Sequence, residues 1–395
     1  MSHQLLVADV LARVEAVRED MVDVRRDLHA HPELGWHEVR TTELLEKRLV
    51  KAGLSPRVLP TGTGLICDIG SGDTCVALRA DIDALPVPDG MDAPWRSTLD
   101  GVAHACGHDV HTSALLGAAL VLAGMARDGQ LDRRVRVIFQ PAEEVMPGGA
   151  LDMIAAGALE GVERIYGLHC DPRLEAGKVG TRIGALTSAA DLIELRLTSP
   201  GGHTSRPHLT ADLVEAIGLL ITQVPLLLTR QVDPRSGTVL VWGAVEAGHA
   251  ANAIPQSGVL RGTLRTADHA TWAELEDKVR MLVAALLAPT GVGYVLDHVR
   301  GVPPVVNEAV SAGILRDAAI AAIGAEAAAD TEQSSGGEDF AWYLEHSPGS
   351  MARLGVWPGF GPMRDIHQPT FDLDERALPV GVRVLVRSAL AAFDV

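Results

Sequence analysis

The sequence predicts an α/β protein of two domains: an outer domain of alternating strands and helices, and an inserted α+β module of ferredoxin-like order. Strand and helix periods alternate up to about His169 and again after Pro303. Between them, from near Thr187, the order changes to strand, helix, strand, strand, helix, strand. The boundaries that follow put residues 1–187 and 301–395 in the outer domain and residues 188–300 in the insertion. A chain of 395 residues suffices for two such domains, with roughly three quarters of the unfolded surface buried.

Leu5, Leu6, Val10, Val14, Val17, Met21, Val24 and Leu28 recur at helical spacing, so an amphipathic helix opens the chain. His29-Ala-His-Pro-Glu-Leu34 ends it, because Pro32 disfavours helix at the residue before it. A second helix spans about Glu38 to Lys51 and is closed by Gly53. Gly64–Ile69 and Thr74–Leu78 read as strands, the second running into Arg79-Ala-Asp-Ile-Asp-Ala-Leu-Pro86. Carboxylates at a strand's exit occupy the usual place for chemistry in an open α/β sheet. Ser113–Met125 is an apolar helix, Arg134–Phe139 a strand, and Arg164–His169 a short strand ending on a histidine.

In the insertion, Leu192–Thr198, Thr238–Val245, Val259–Arg265 and Tyr294–Val299 read as strands. Ala211–Leu228 and Trp272–Leu287 read as helices. The outer domain resumes with helix Ala309–Ile323, a Ser/Gly-rich loop at Ser334–Gly337, strand Ala352–Val356 and a helix from Asp374.

Composition narrows the function. The formal net charge of −17 argues against nucleic-acid and anionic-membrane partners. The first twenty residues lack the apolar block of a signal peptide, and Leu115–Ala126 is too short to span a bilayer. Four cysteines in a chain this long do not form a disulfide framework, so a cytoplasmic chain with free thiols is expected.

The chemistry concentrates in His104-Ala-Cys-Gly-His-Asp-Val-His-Thr112, with three imidazoles, a thiol and a carboxylate. Cys106 and His108 flank Gly107, and thiolate with imidazole suits zinc and its neighbours. Taken alone, a polar loop fits this stretch as well as a metal-binding turn. Gln140-Pro-Ala-Glu-Glu144 ends a strand on paired carboxylates, which on an extended exit point to opposite sides. A solvated acidic turn is the commoner fate of such a pair, and a lone strand-end histidine such as His169 is more often structural. His367 precedes a turn fixed by Pro369. Together Cys106, His108, Glu143, Glu144, His169 and His367 hold five ligands for two metals and one spare carboxylate. Two metals about 3.5–4 Å apart share a water, lower its pKa and polarise a carbonyl. The spare carboxylate would then move a proton from water to the leaving amine. That chemistry is amide hydrolysis.

These motifs, with Gly167–His169, Gly201–Pro207, Asn252–Pro255, Gly337–Phe340 and His367–Phe371, follow one another in a family order. The chain resembles the metal-dependent amidohydrolases related to aminoacylase, hippurate hydrolase and auxin-conjugate hydrolase, within the co-catalytic metallopeptidases of glutamate carboxypeptidase. The resemblance implies a catalytic α/β domain with a central mixed sheet flanked by helices, and an inserted dimerisation or lid domain. It implies two divalent ions per subunit (Zn, Mn or Co) on Cys106, His108, Glu144, His169 and His367, with Glu143 as catalytic acid/base. It further implies His203 as an oxyanion donor reaching a neighbouring subunit, hence a homodimer or higher homo-oligomer, with Asn252 and Arg265 on the substrate carboxylate.

Two departures stand out. Arg79 occupies the first position of the His-x-Asp motif of the peptidase branch, which puts the supporting role of Asp81 in question. No bridging carboxylate is evident, so the Cys106 sulfur is a candidate bridge. His104, Asp109 and His111 fit equally as groups behind the ligands or as plain helix-start residues. The expected activity is hydrolysis of N-acyl-amino acids. A dipeptidase or carboxypeptidase with the same machinery is the nearer alternative, and a non-catalytic acyl-amino-acid binder the more distant one.

Overall fold

A computed structural model describes residues 3–394, with side chains from Ala8 onward. The periodic residues Leu5 and Leu6 therefore lie outside the described side chains. Contacts divide the chain into two compact units. One holds the residues up to Leu186, Val306–Glu332 and those from Asp339 on; the other holds Thr187–Val305 and Gln333–Glu338. The Ser334–Gly337 loop, which chain order assigns to the outer domain, packs within the second unit. Ser188 N donates to Gly336 O at 3.0 Å, and Arg265 Nη1 donates to Ser335 O at 2.7 Å.

The first unit is built on β1 (Leu65–Ile69), β2 (Cys75–Asp81), β3 (Arg134–Gln140), β4 (Val162–Glu175) and β9 (Gly349–Trp357). Short strands at Arg57–Val58, Val179–Thr181 and Ala328–Asp330 complete an eight-stranded sheet. The central order is β1-β3-β2-β4-β9. β2 pairs in parallel with β3 and β4, and β4 with β9, whereas β1 runs antiparallel to β3. The sheet is thus mixed. The chain goes from β2 to β3 on one side and then to β4 on the other. That reversal falls at the carboxyl end of β2, at Asp81, the position where open α/β sheets place their ligand sites.

Helices α1 (His3–Ala30), α2 (Val39–Lys51), α3 (His108–Arg127), α6 (Ala309–Ile323) and α7 (Ala377–Ala391) belong to this unit, with two short helices at Ala150–Ala155 and Ala341–Leu344. By length and composition α3 would suffice to cross a membrane, but 89% of its apolar window is buried in the protein. It is a core helix. Gly117, in its middle, faces both α1 and α7: a Cβ there would meet Val382 Cγ2 at 2.7 Å and Met21 Cγ at 3.1 Å. Glycine costs helix propensity but permits this close packing.

In the second unit, β5 (Ala189–Thr198), α4 (Leu213–Leu228), β6 (Val239–Ala247), β7 (Ser257–Thr266), α5 (His269–Leu287) and β8 (Gly293–Val302) follow in order. Its sheet runs β6-β7-β5-β8, all antiparallel, the ferredoxin-like arrangement. Alternate residues of β5 are buried, and Ile193, Leu195 and Leu197 pack with Leu220, Val224, Leu275 and Val279 of the two helices.

Two elements differ from the sequence expectation in ways that matter. The helix expected from Ser113 begins at His108, so that histidine stands on a rigid first turn. The strand expected to end at His169 continues to Glu175, because β9 pairs alongside it as far as Trp357. Gly117→Leu should cost about 1–3 kcal/mol through overpacking where the three helices meet. An unfolding midpoint equal to the parent's, by calorimetry, would contradict this packing.

Candidate metal centre

Two short chain segments and two strand ends build the site. Asp81 ends β2 and Asp83 follows two residues later; Gln140 ends β3, and Glu143 and Glu144 follow. The register pairing Arg79 with Gly167 puts His169 level with the end of β2. Gly107, with φ 90°, makes the turn that carries Cys106 and His108 on either side. A Cβ at Gly107 would also strike Cys170 Sγ at 2.9 Å.

Among the described residues, the overlapping donor clusters include Cys106–His108–His169, Cys106–Glu144–His367, His108–Glu143–Glu144 and Asp81–His108–His111. Cys106 Sγ lies 3.5 Å from His169 Nε2. His108 Nε2 lies 3.8 Å from Glu144 Oε1 and 4.0 Å from Glu143 Oε2. His367 Nε2 lies 3.3 Å from Glu144 Oε1, on a side chain still half exposed. All six residues expected at this centre are brought together.

Hydrogen bonds behind the donors fix which nitrogen each histidine presents. His169 Nδ1 donates to Cys170 O at 2.7 Å, and His108 Nδ1 donates to Asp83 O at 3.0 Å. A carbonyl only accepts, so each ring turns its Nε2 toward the cluster. His108 Nε2 is buried and has no hydrogen-bond partner, and the buried Glu144 Oε1 meets His367 Nε2. Burial disfavours charge on His108, but Asp81, Asp83 and Glu144 outweigh it and raise its pKa to about 10. Burial and the Glu144 and Glu143 carboxylates push the Cys106 thiol well above its ordinary value. Such a donor set favours positive charge, which divalent cations held by these residues would supply. The residues therefore fit a metal centre.

His111 belongs to one cluster by distance but is already engaged. Its Nδ1 donates to Asp81 Oδ1 at 2.6 Å and its Nε2 accepts from Cys170 N at 2.8 Å. It braces the ligand-bearing segments. Asp81 also accepts from Arg79 Nη1 at 2.7 Å, and Arg79 Nη2 donates to Asp339 at 2.6 Å. Arg79, 1% exposed, thus supplies a fixed positive charge behind the site where the peptidase branch has a histidine. Asp81 is firmly held even without that histidine.

Sequence reasoning passed over Asp83. Its carboxylate accepts from His108 Nδ1 at 3.2 Å and, through the other oxygen, from Glu144 N at 2.9 Å. The signal was present: a second carboxylate two residues past Asp81 in Arg79–Pro86. Behind it, His29 sits between Asp109 Oδ2 at 2.7 Å and Asp89 Oδ2 at 3.3 Å, with Arg25 Nε 2.8 Å from the same Asp109 oxygen. Burial lowers the His29 pKa, but Asp109 and Asp89 outweigh it and raise it.

His203, Asn252 and Arg265 belong to the second unit. A two-residue ladder pairs His203 with Ala253 and so brings Asn252 beside it. Ser205 Oγ holds His203 Nδ1 at 2.8 Å, which leaves the exposed ring's Nε2 directed outward.

Residues 77–391 match the model of peptidase family M20/M25/M40. The chain belongs to that family. An N-acetyl-L-cysteine deacetylase of Bacillus subtilis is 35% identical over 387 residues, covering 96% of this chain and 90% of the relative. The crystal structure of Bacillus subtilis YXEP, described as a dinuclear metal binding peptidase of the M20 family, matches with a TM-score of 0.83. It is 31% identical and covers 96% of this chain and 99% of that one. A Rhodococcus jostii protein named for glutamate–cysteine ligase is 54% identical over 374 residues, and this chain spans 46% of its length. Family and donor set together make this chain a metal-dependent hydrolase.

Asp83→Ala removes the carboxylate that orients His108 and the Glu144 loop. Metal affinity, measured by competition with a chelating dye, should fall about 10–100-fold with the fold retained. Parent-like affinity would exclude that orienting role.

Proposed function

We propose that the chain hydrolyses the amide between an acyl group and the α-nitrogen of an amino acid, with Glu143 moving the proton. The observation that carries this reading is the sixth donor. Cys106, His108, Glu144, His169 and His367 suffice to hold two divalent ions, and Glu143 lies in the same cluster beside His108 and Glu144. Two ions there would polarise the amide carbonyl and acidify water. Glu143, buried to 7% exposure, takes the proton of the attacking water and delivers it to the departing amine. His203 donates to the oxygen on which charge develops, and Arg265 with Asn252 holds the substrate carboxylate. The similarity to an N-acetyl-L-cysteine deacetylase supports an N-acyl-amino acid as substrate. A cytoplasmic setting agrees with four free, buried cysteines.

A panel of N-acetyl, N-benzoyl and indole-acetyl amino acids, N-acetylcysteine included, tests the reading on protein reconstituted with Zn, Mn or Co. Dipeptides in the same panel test the nearer alternative. Hydrolysis of dipeptides alone would move the assignment to a dipeptidase, and binding without turnover would make the chain a sensor.

The paired glutamates should fail differently. Glu143→Gln should lose at least about 10²–10⁴-fold in kcat with metal content unchanged. Glu144→Gln should lose metal affinity, and excess metal should restore some of the activity. Elemental analysis beside the rates separates the two; normal turnover in Glu143→Gln would end its assignment as the base.

The homodimer is proposed with His203 acting on a neighbouring subunit's site. His203→Ala and Glu143→Ala should each be nearly inactive, and mixed dimers from coexpression should regain partial activity. A monomer active at the dilution used for light scattering would rule this out.

A further inference from the structure

The turn following His29–Leu34 reaches the centre by an unexpected route. Glu38 sits at the N-cap of α2, yet its side chain makes no capping bond there. Its carboxyl, fully buried, turns instead toward the loop after β3, where Oε1 accepts from Ala142 N at 2.7 Å. Ala142 has φ 53°, a left-handed conformation that residues with a side chain seldom adopt. Its carbonyl is also held, accepting from Gly149 N at 3.0 Å. The two turns are in direct contact: a Cβ at Gly35 would come within 3.2 Å of Ala142 Cα and 2.7 Å of Val145 Cγ2.

Glu143 is thereby bracketed. The amide of the residue before it is held by Glu38, and the amide of the residue after it by Asp83. We infer that Glu38 is a positioning residue for the reaction: by holding Ala142 in the left-handed region it sets the direction in which the Glu143 carboxylate leaves the chain. The inference rests on the proton-transfer role proposed for Glu143. A role in α2 alone does not account for the carboxyl, since α2 does not use it. Burial, with Asp83 nearby, raises the Glu38 carboxyl to about 7, against the opposing effect of the Glu38, Ala142 and Trp36 amides. A buried carboxyl kept in such a place calls for an explanation beyond packing, and the aim of Glu143 provides one.

The test uses Glu38→Leu, Glu38→Gln and Glu38→Leu combined with Ala142→Gly. Glu38→Leu should lower kcat at least tenfold with KM and metal content unchanged. Glu38→Gln, whose amide oxygen accepts the same N–H, should stay within threefold of the parent. Glycine reaches a positive φ freely, so Ala142→Gly should recover at least fivefold of the loss in Glu38→Leu. Hydrogen exchange at the amides of 142–144, read without substrate, should quicken in Glu38→Leu and not in Glu38→Gln. Unchanged kcat or unchanged exchange in Glu38→Leu would overturn the inference. So would equal failure of the Gln and Leu variants with loss of metal and of thermal stability. A parent that cleaves no N-acyl-amino acid sinks the proposed function, and the exchange experiment still decides the clamp.

Discussion

The carboxylate of Asp83 is the interaction on which the centre depends. It joins β2's exit, the first turn of α3 and the loop after β3, by accepting from His108 and from the amide of Glu144. A hydrogen bond to an ionised acceptor is about twice as strong as a neutral one, and burial strengthens it further. Because Asp83 is 1% exposed, water does not compete for either bond. Two candidate ligands, His108 and Glu144, from distant stretches of chain are therefore set relative to each other by the protein's own hydrogen bonds.

A second buried network does the same a layer deeper. Arg79 bridges Asp81 and Asp339, Gln140 Nε2 donates to Asp339 at 2.6 Å, and Tyr343 OH donates to Gln140 at 3.0 Å. An unpaired buried guanidinium would be very costly; here its charge is shared between carboxylates on separate elements. Removing one partner leaves the others buried without it, so the network specifies one arrangement of strand ends. The residue that looked like a defect in the motif is the centre of this support.

Much of this was legible from residue types alone. Alternating apolar residues in β5 and β7 and helical spacing between them give the inserted module its order, because one buried face imposes each period. The six polar residues of the centre stand out as a set of thiolate, imidazole and carboxylate donors. Each motif alone, however, reads as well as a polar loop, an acidic turn or a structural histidine, and their separate roles come from the family resemblance. What escaped was orientation. Asp83 and Glu38 look like ordinary acidic residues in sequence, and only the tertiary path brings each against a particular backbone amide. The length of β4 escaped too, because its last residues are strand only through pairing with β9, which arrives much later in the chain.

The scatter of donors over the chain has a thermodynamic consequence. Cys106 and His367 of the candidate donor set are far apart in sequence, so an unfolded chain cannot present the same set, and a cation held by that set would favour the folded state. Free ion at a hundred times its dissociation constant then adds about 2.7 kcal/mol to the folding free energy at a single site. Heat resistance becomes a function of ion supply. In a cell short of the ion, the protein would lose its fold's reserve along with its chemistry, and turnover by proteases would report the shortage.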